Sequence, residues 1–160
     1  MQQNTSFLML QKSKKLFIAA CFLALMPVSV SALEFRSVAV PKAVLYDAPS
    51  SSAKKILLLS QYYPVEIVVN LGDWLKVRDS RGGISWVEAK QLSTKRMVMI
   101  TASKAELRQA ADAASGVLAT LEKDVVLEVA DEKLNNGWLK VKHRDGISGY
   151  ILISSTWGFN

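Results

Sequence analysis

One hundred and sixty residues, half of them hydrophobic and with only four prolines and eight glycines, suffice for one medium domain or two very small ones and exclude disorder along the whole chain. The single cysteine, Cys21, has no intramolecular partner, and the single histidine, His143, has no Cys or His with which to share a zinc ion. Lys plus Arg number 20 against 14 Asp plus Glu, a formal charge of +6.

Part of that excess sits at the start. Lys12, Lys14 and Lys15 carry all the charge of the first 32 residues and precede an apolar run over 16–26. After Pro27 the small residues Ser31 and Ala32 follow Val30, the pattern of a secretory signal cleaved after Ala32. The apolar run is about half the roughly 20 residues of a bilayer-spanning helix, which argues against a retained transmembrane helix. The exported chain then begins at Leu33 and contains no cysteine; removing three lysines leaves 17 basic against 14 acidic residues, or +3. A net charge that small does not support nucleic-acid binding, which calls for a concentrated basic stripe. The alternative is a lipoprotein, because Ala19-Ala20-Cys21 resembles a lipidation site; the apolar run that continues past Cys21 weighs against it.

The rest of the chain is a repeat. Gly72-Asp73-Trp74-Leu75-Lys76-Val77-Arg78 returns as Asn136-Gly137-Trp138-Leu139-Lys140-Val141-Lys142, and twelve residues beyond each tryptophan stands an aromatic followed by an aliphatic residue, Trp86-Val87 and Tyr150-Ile151. Upstream, Val65, Ile67 and Val69 answer to Val125, Leu127 and Val129. Short β-branched and aromatic runs separated by Gly- and Asn-bearing turns predict strands and hairpins, and their spacing predicts small barrels. Alternation places Leu75, Val77, Leu139 and Val141 inside and Lys76 and Lys140 outside. The apolar run over 97–100 is expected where the two units meet. Residues 105–123 carry a competing helical stripe, Leu107, Ala111, Ala114, Leu118 and Leu121. We expect strands there, because Leu107 occupies the place of Leu45 and Gly116 costs about 1 kcal/mol inside a helix.

These residues carry a resemblance. Gly-x-Trp-x-Lys-Val, a Gly-bearing turn, then an aromatic and an aliphatic residue, resembles the bacterial SH3-like (Src-homology-3-like) domain family, in two tandem copies over residues 38–96 and 97–160 behind a signal over 1–32. The resemblance implies an all-β fold of two five-stranded, partly open barrels. It also implies a role in the envelope, where such domains accompany cell-wall hydrolases or bind wall peptides. Carried over position by position, Trp74 and Trp138 match the groove tryptophan, Trp86 and Tyr150 the aromatic of Gly-Tyr-Ile, and Tyr46 the first tyrosine of Ala-Leu-Tyr-Asp-Tyr. Ala48 replaces that motif's second tyrosine, Glu88 and Leu152 stand where its proline belongs, and Gln91 and Ser155 replace the last groove tyrosine. These departures set the chain apart from eukaryotic proline-peptide binders.

The expected ligand-binding residues are therefore Tyr46, Trp74, Trp86, Trp138 and Tyr150. The first copy should hold the stronger site, since Arg108 stands where copy one has Tyr46. Each ring has a second reading as packing, because small domains use every large side chain they have. His143, at the edge of a turn, is expected to be exposed, with no carboxylate, serine or cysteine in a recognisable relation to it; nucleophilic catalysis therefore lacks a base. Asp131, Glu132, Asn135 and Asn136 lack the order of a calcium loop and read as a polar hairpin. No cofactor and no metal is implied. The expected role is non-enzymatic, with peptidoglycan or wall peptides as the ligand or, alternatively, a periplasmic protein partner in an assembly adaptor. The sequence sets no oligomeric state.

Overall fold

Antiparallel pairing of short strands accounts for nearly every regular element of the computed structural model, which describes residues 33–159. The predicted leader, its cleavage site and Cys21 lie outside the described residues. The first sheet contains β1 (Glu34–Val38), β2 (Lys42–Tyr46), β3 (Lys55–Ser60), β4 (Pro64–Asn70), β5 (Trp74–Arg78), β6 (Ile84–Glu88) and β7 (Leu92–Ser93), in the order β3-β2-β6-β5-β4-β1-β7. The second contains β8 (Met97–Ile100), β9 (Lys104–Arg108), β10 (Val117–Glu122), β11 (Val126–Asn135), β12 (Trp138–Lys142), β13 (Ser148–Leu152) and β14 (Thr156–Trp157), in the order β10-β9-β13-β12-β11-β8-β14. The second order is the first shifted by seven, so the repeat extends to topology. Each sheet has seven strands where the resemblance implies five; β7 and β14 are two-residue pieces that pair with the entry strands β1 and β8. The helical stripe over 105–123 resolves into β9, a turn and β10, as Gly116 and the Leu45–Leu107 match predict.

Alternation builds the two cores. Leu75, Val77, Val65 and Val87 pack with Val38 and Leu45 in the first, and Leu139, Val141, Leu127 and Ile151 with Ile100 and Leu107 in the second. All are essentially inaccessible to water, and each contributes about 1.5–3 kcal/mol on burial. Between the inward residues of β5 and β12, Lys76 is half-buried and Lys140 exposed. The β11–β12 hairpin closes on Asn136 and Gly137, both with positive φ (50° and 82°), the twist that a two-residue turn between right-twisted strands requires.

Hydrogen bonding corrects one detail of the repeat. Val38 N–H bonds the Tyr63 carbonyl and Tyr62 N–H the Val38 carbonyl; Ile100 and Val125, and Asp124 and Ile100, repeat those bonds 62 residues later. Val65 therefore corresponds to Leu127 and Ile67 to Val129, two residues away from the match read upstream of the tryptophans. The cause is the hairpin: β11 runs to Asn135 with register shifts that a sequence comparison does not reveal.

Ala32–Asn160 form one compact unit, and the barrels meet where the run over 97–100 predicts. Val98 and Ile100 enter the second core, while Met97 and Met99 are buried too, and β4 packs against β8. At the far end of the chain the Trp157 Nε1–H donates to the Pro64 carbonyl at 3.3 Å, and the Trp157 ring stands edge-on to Phe35 at 5.2 Å.

Candidate functional site

Five aromatic positions singled out in the sequence fall into two equivalent places, one on each sheet. In the first, Tyr46 on β2 is the register partner of Trp86 on β6, which in turn faces Lys76 on β5. Trp74 shares the outward face of β5 with Lys76, because residues two apart on a strand point the same way. Tyr46 and Trp74 meet edge to face, with centroids 5.4 Å apart and planes at 83°. The Lys76 Nζ lies 5.7 Å from the centre of the Trp86 ring, within cation–π range. The result is a cluster of three rings and one ammonium across three adjoining strands. Tyr46 is its buried base, while Trp74 and Trp86 are half-buried.

Trp74 faces Glu88 across the β5–β6 pair. The Glu88 carboxyl is held below the usual carboxylate range, first by the hydrogen bond it accepts from Gln91 Nε2 at 2.9 Å and then by Lys90. Glu88, which stands where the eukaryotic motif has proline, thus remains an anion beside the rings. Gln91, in the place of the last groove tyrosine, also accepts the Val44 N–H through Oε1. Both departures from the eukaryotic groove are bound into local structure.

The second place is built differently. Tyr150 pairs with Arg108 and Lys140, and Trp138 with Leu152. The Arg108 guanidinium, standing where copy one has a ring, donates to the Ser115 carbonyl and pairs with Glu106. Trp138 is buried at 7 % exposure and, with Arg108, Lys104, Leu152 and Ser155, lines a hollow of about 440 Å³. The ring cluster therefore lies in copy one and this hollow in copy two. The five residues form two groups, on separate sheets, rather than one.

His143 differs from expectation: its side chain is 18 % exposed, and its Nδ1 lies 3.2 Å from Asp145 Oδ2, two residues along the turn. Among the described residues no group of three His, Cys, Asp or Glu side chains is arranged to hold a metal ion, and no helix is long and apolar enough to cross a membrane.

The bacterial SH3 domain model matches the chain twice, over residues 39–94 and 101–158. The chain belongs to the bacterial SH3 domain family. Its two SH3 domains are similar to parts of several solved structures. NlpC2 from Trichomonas vaginalis is 14 % identical with a TM-score of 0.37, the match covering 81 % of this chain and 49 % of that one. NlpC1 from the same organism is 14 % identical with a TM-score of 0.36, covering 80 % and 46 %. An NlpC/P60 family protein from Bacillus cereus ATCC 10987 is 17 % identical with a TM-score of 0.35, covering 77 % and 55 %. The chain thus spans about half the length of these structures. No curated protein sequence matches it.

One further position of the first SH3 domain stands out by its geometry. Tyr62 has a left-handed backbone, φ 69°, and an exposed ring, 5.3 Å from Lys95 Nζ. The only signal was the pair Tyr62-Tyr63 before Pro64, which reads simply as the start of a strand.

Proposed function

We propose that this tandem SH3 chain is an exported, non-enzymatic binding module of the bacterial envelope that recognises peptidoglycan or wall peptides. The observation that carries the reading is the ring cluster of the first domain: Trp74 and Trp86 remain partly exposed on adjoining strands although a small barrel has every reason to bury them. Flat rings stack on sugar or peptide at little ordering cost, and Lys76 beside Trp86 offers a charge to a carboxylate. The leader over 1–32 supplies the export, with Leu33 as the first residue of the exported protein. Mass spectrometry of the periplasmic protein tests this, and a lipid-modified Cys21 at the N-terminus would overturn it.

The binding test is retention by purified sacculi stripped of protein. Trp86→Ala is expected to weaken retention about fivefold, corresponding to stacking worth on the order of 1 kcal/mol, with the domain still folded. Tyr150→Ala should matter less. If Trp86→Ala unfolds the first domain, the ring is packing. If the intact chain is not retained at all, the partner is a periplasmic protein instead of the wall.

A further inference from the structure

Between the two barrels runs a cleft of about 830 Å³, within the size range of sites that enclose a ligand. Tyr62 stands on the first barrel's side, Met97, Val126, Lys142 and Arg144 on the second's, and Lys95 comes from the segment that joins them. The left-handed conformation at Tyr62 is one that glycine adopts freely and a tyrosine adopts only at a cost in free energy. A ring kept there for packing would recover that cost by burial, yet Tyr62 is 43 % exposed. Its counterpart in the second copy, Asp124, has φ 68° without a ring, so the turn itself does not call for one. The Tyr62 ring is also positioned: Lys95 lies against it and ion-pairs with Glu128 on β11 at 2.8 Å. Ring, ammonium and carboxylate thereby link the two barrels across the cleft.

Charge indicates what fits beside that ring. Glu128 is the register partner of Lys142, and it is already held by Lys95. Lys142 ends β12 and Arg144 stands two residues on, in the turn that follows; both are exposed, and the carboxylate nearest Arg144 is that of Asp145 at 3.9 Å. Of the three cations that line the cleft, Lys95 is paired with Glu128 and Arg144 with Asp145, which leaves Lys142 without an ion pair among the described residues. An apolar, ring-bearing side and an under-compensated cationic side suit a short extended peptide that carries carboxylates.

We propose that the cleft between the barrels is the binding site for such a peptide, with its apolar part against Tyr62 and Val126 and its carboxylates on Lys142 and Arg144. The site deepens the wall-binding reading and rests on it for the source of the peptide, the carboxylate-bearing stem of the wall.

The test uses the full exported chain with two probes: protein-free sacculi, and a soluble hexapeptide of alternating alanine and glutamate followed by calorimetry. Tyr62→Gly removes the ring and suits the left-handed turn, so the melting temperature should not fall. Lys142→Gln with Arg144→Gln removes the charges, and Lys54→Gln with Lys55→Gln makes the same charge change at the far end of β3. Both cleft variants are expected to weaken binding of each probe about tenfold, the loss typical of an anchor residue, while the β3 variant binds as the parent does. Retention of both cleft variants by sacculi at the parental level overturns the site and leaves wall binding standing. An equal loss in the β3 variant also overturns it, because the attraction is then general charge. Cleft-dependent binding of the hexapeptide without retention on sacculi upholds the cleft and sinks the wall reading, and binding of neither probe sinks both.

Discussion

Gly149→Ala should destabilise the second SH3 domain by about 3 kcal/mol, at the upper end of what overpacking costs. A Cβ at that position would lie 2.6 Å from the Arg108 carbonyl oxygen, 2.9 Å from Leu107 Cγ and 3.0 Å from Leu118 Cδ1. The first of these atoms is backbone and the second belongs to a fully buried core residue, so neither yields without moving β9 away from β13. The corresponding position in the first domain is Ser85, opposite Val77 as Gly149 is opposite Val141, and it accommodates a buried side chain. Ser85→Ala is therefore the matched control and should be mild. Urea unfolding followed by tryptophan fluorescence reads both, and a Gly149→Ala protein with an unchanged midpoint would show that the two strands separate easily.

Trp157→Ala is expected to turn a single cooperative melt into two. Trp157 belongs to the second sheet by its pairing with Met99, yet its indole N–H bonds Pro64 and its ring packs on Phe35, both in the first. Next to it, Gly158 has φ 112°, and a Cβ there would come within 2.5 Å of the Met97 carbonyl oxygen and 2.8 Å of Pro64 Cβ. The chain is thus fitted closely between the domains, and removing the indole leaves a cavity at their junction worth about 3 kcal/mol. Calorimetry should show the first domain melting at a lower temperature than the second. A single transition at the parental temperature would mean that other contacts couple the domains.

Much of this fold was legible because it is written in period two and then written twice. Leu75-Lys76-Val77 and Leu139-Lys140-Val141 specify strands on local grounds, and the repeat supplied the evidence to overrule a helical stripe at Leu107 to Leu121. What escaped depends on partners far along the chain. The offset between Val65 and Leu127 is set by bonds to Val38 and Ile100, and a bulged hairpin disguises it. His143, expected to be exposed, lines the cleft that residues of both barrels form and is 18 % exposed. The rings show the same division: their presence is plain from spacing, but that Trp138 is buried while Trp74 is partly exposed depends on packing across the sheet, where Tyr46 stands two strands from Trp74 and Arg108 two strands from Trp138. Tyr62 was least visible of all, since the sign of φ at a tyrosine leaves no compositional trace.

The pairing of each sheet's first strand with its last, β1 with β7 and β8 with β14, has a consequence in time. The first barrel cannot close until Ser93 has been synthesised, nor the second until Trp157 has, and such long-range closures are paid for in chain entropy before they are rewarded in contacts. A polypeptide that grows from its N-terminus therefore stays open for most of its synthesis. On the export proposed above, late closure is an advantage, because a chain whose barrels close only at Ser93 and Trp157 keeps strands unpaired for longer before crossing.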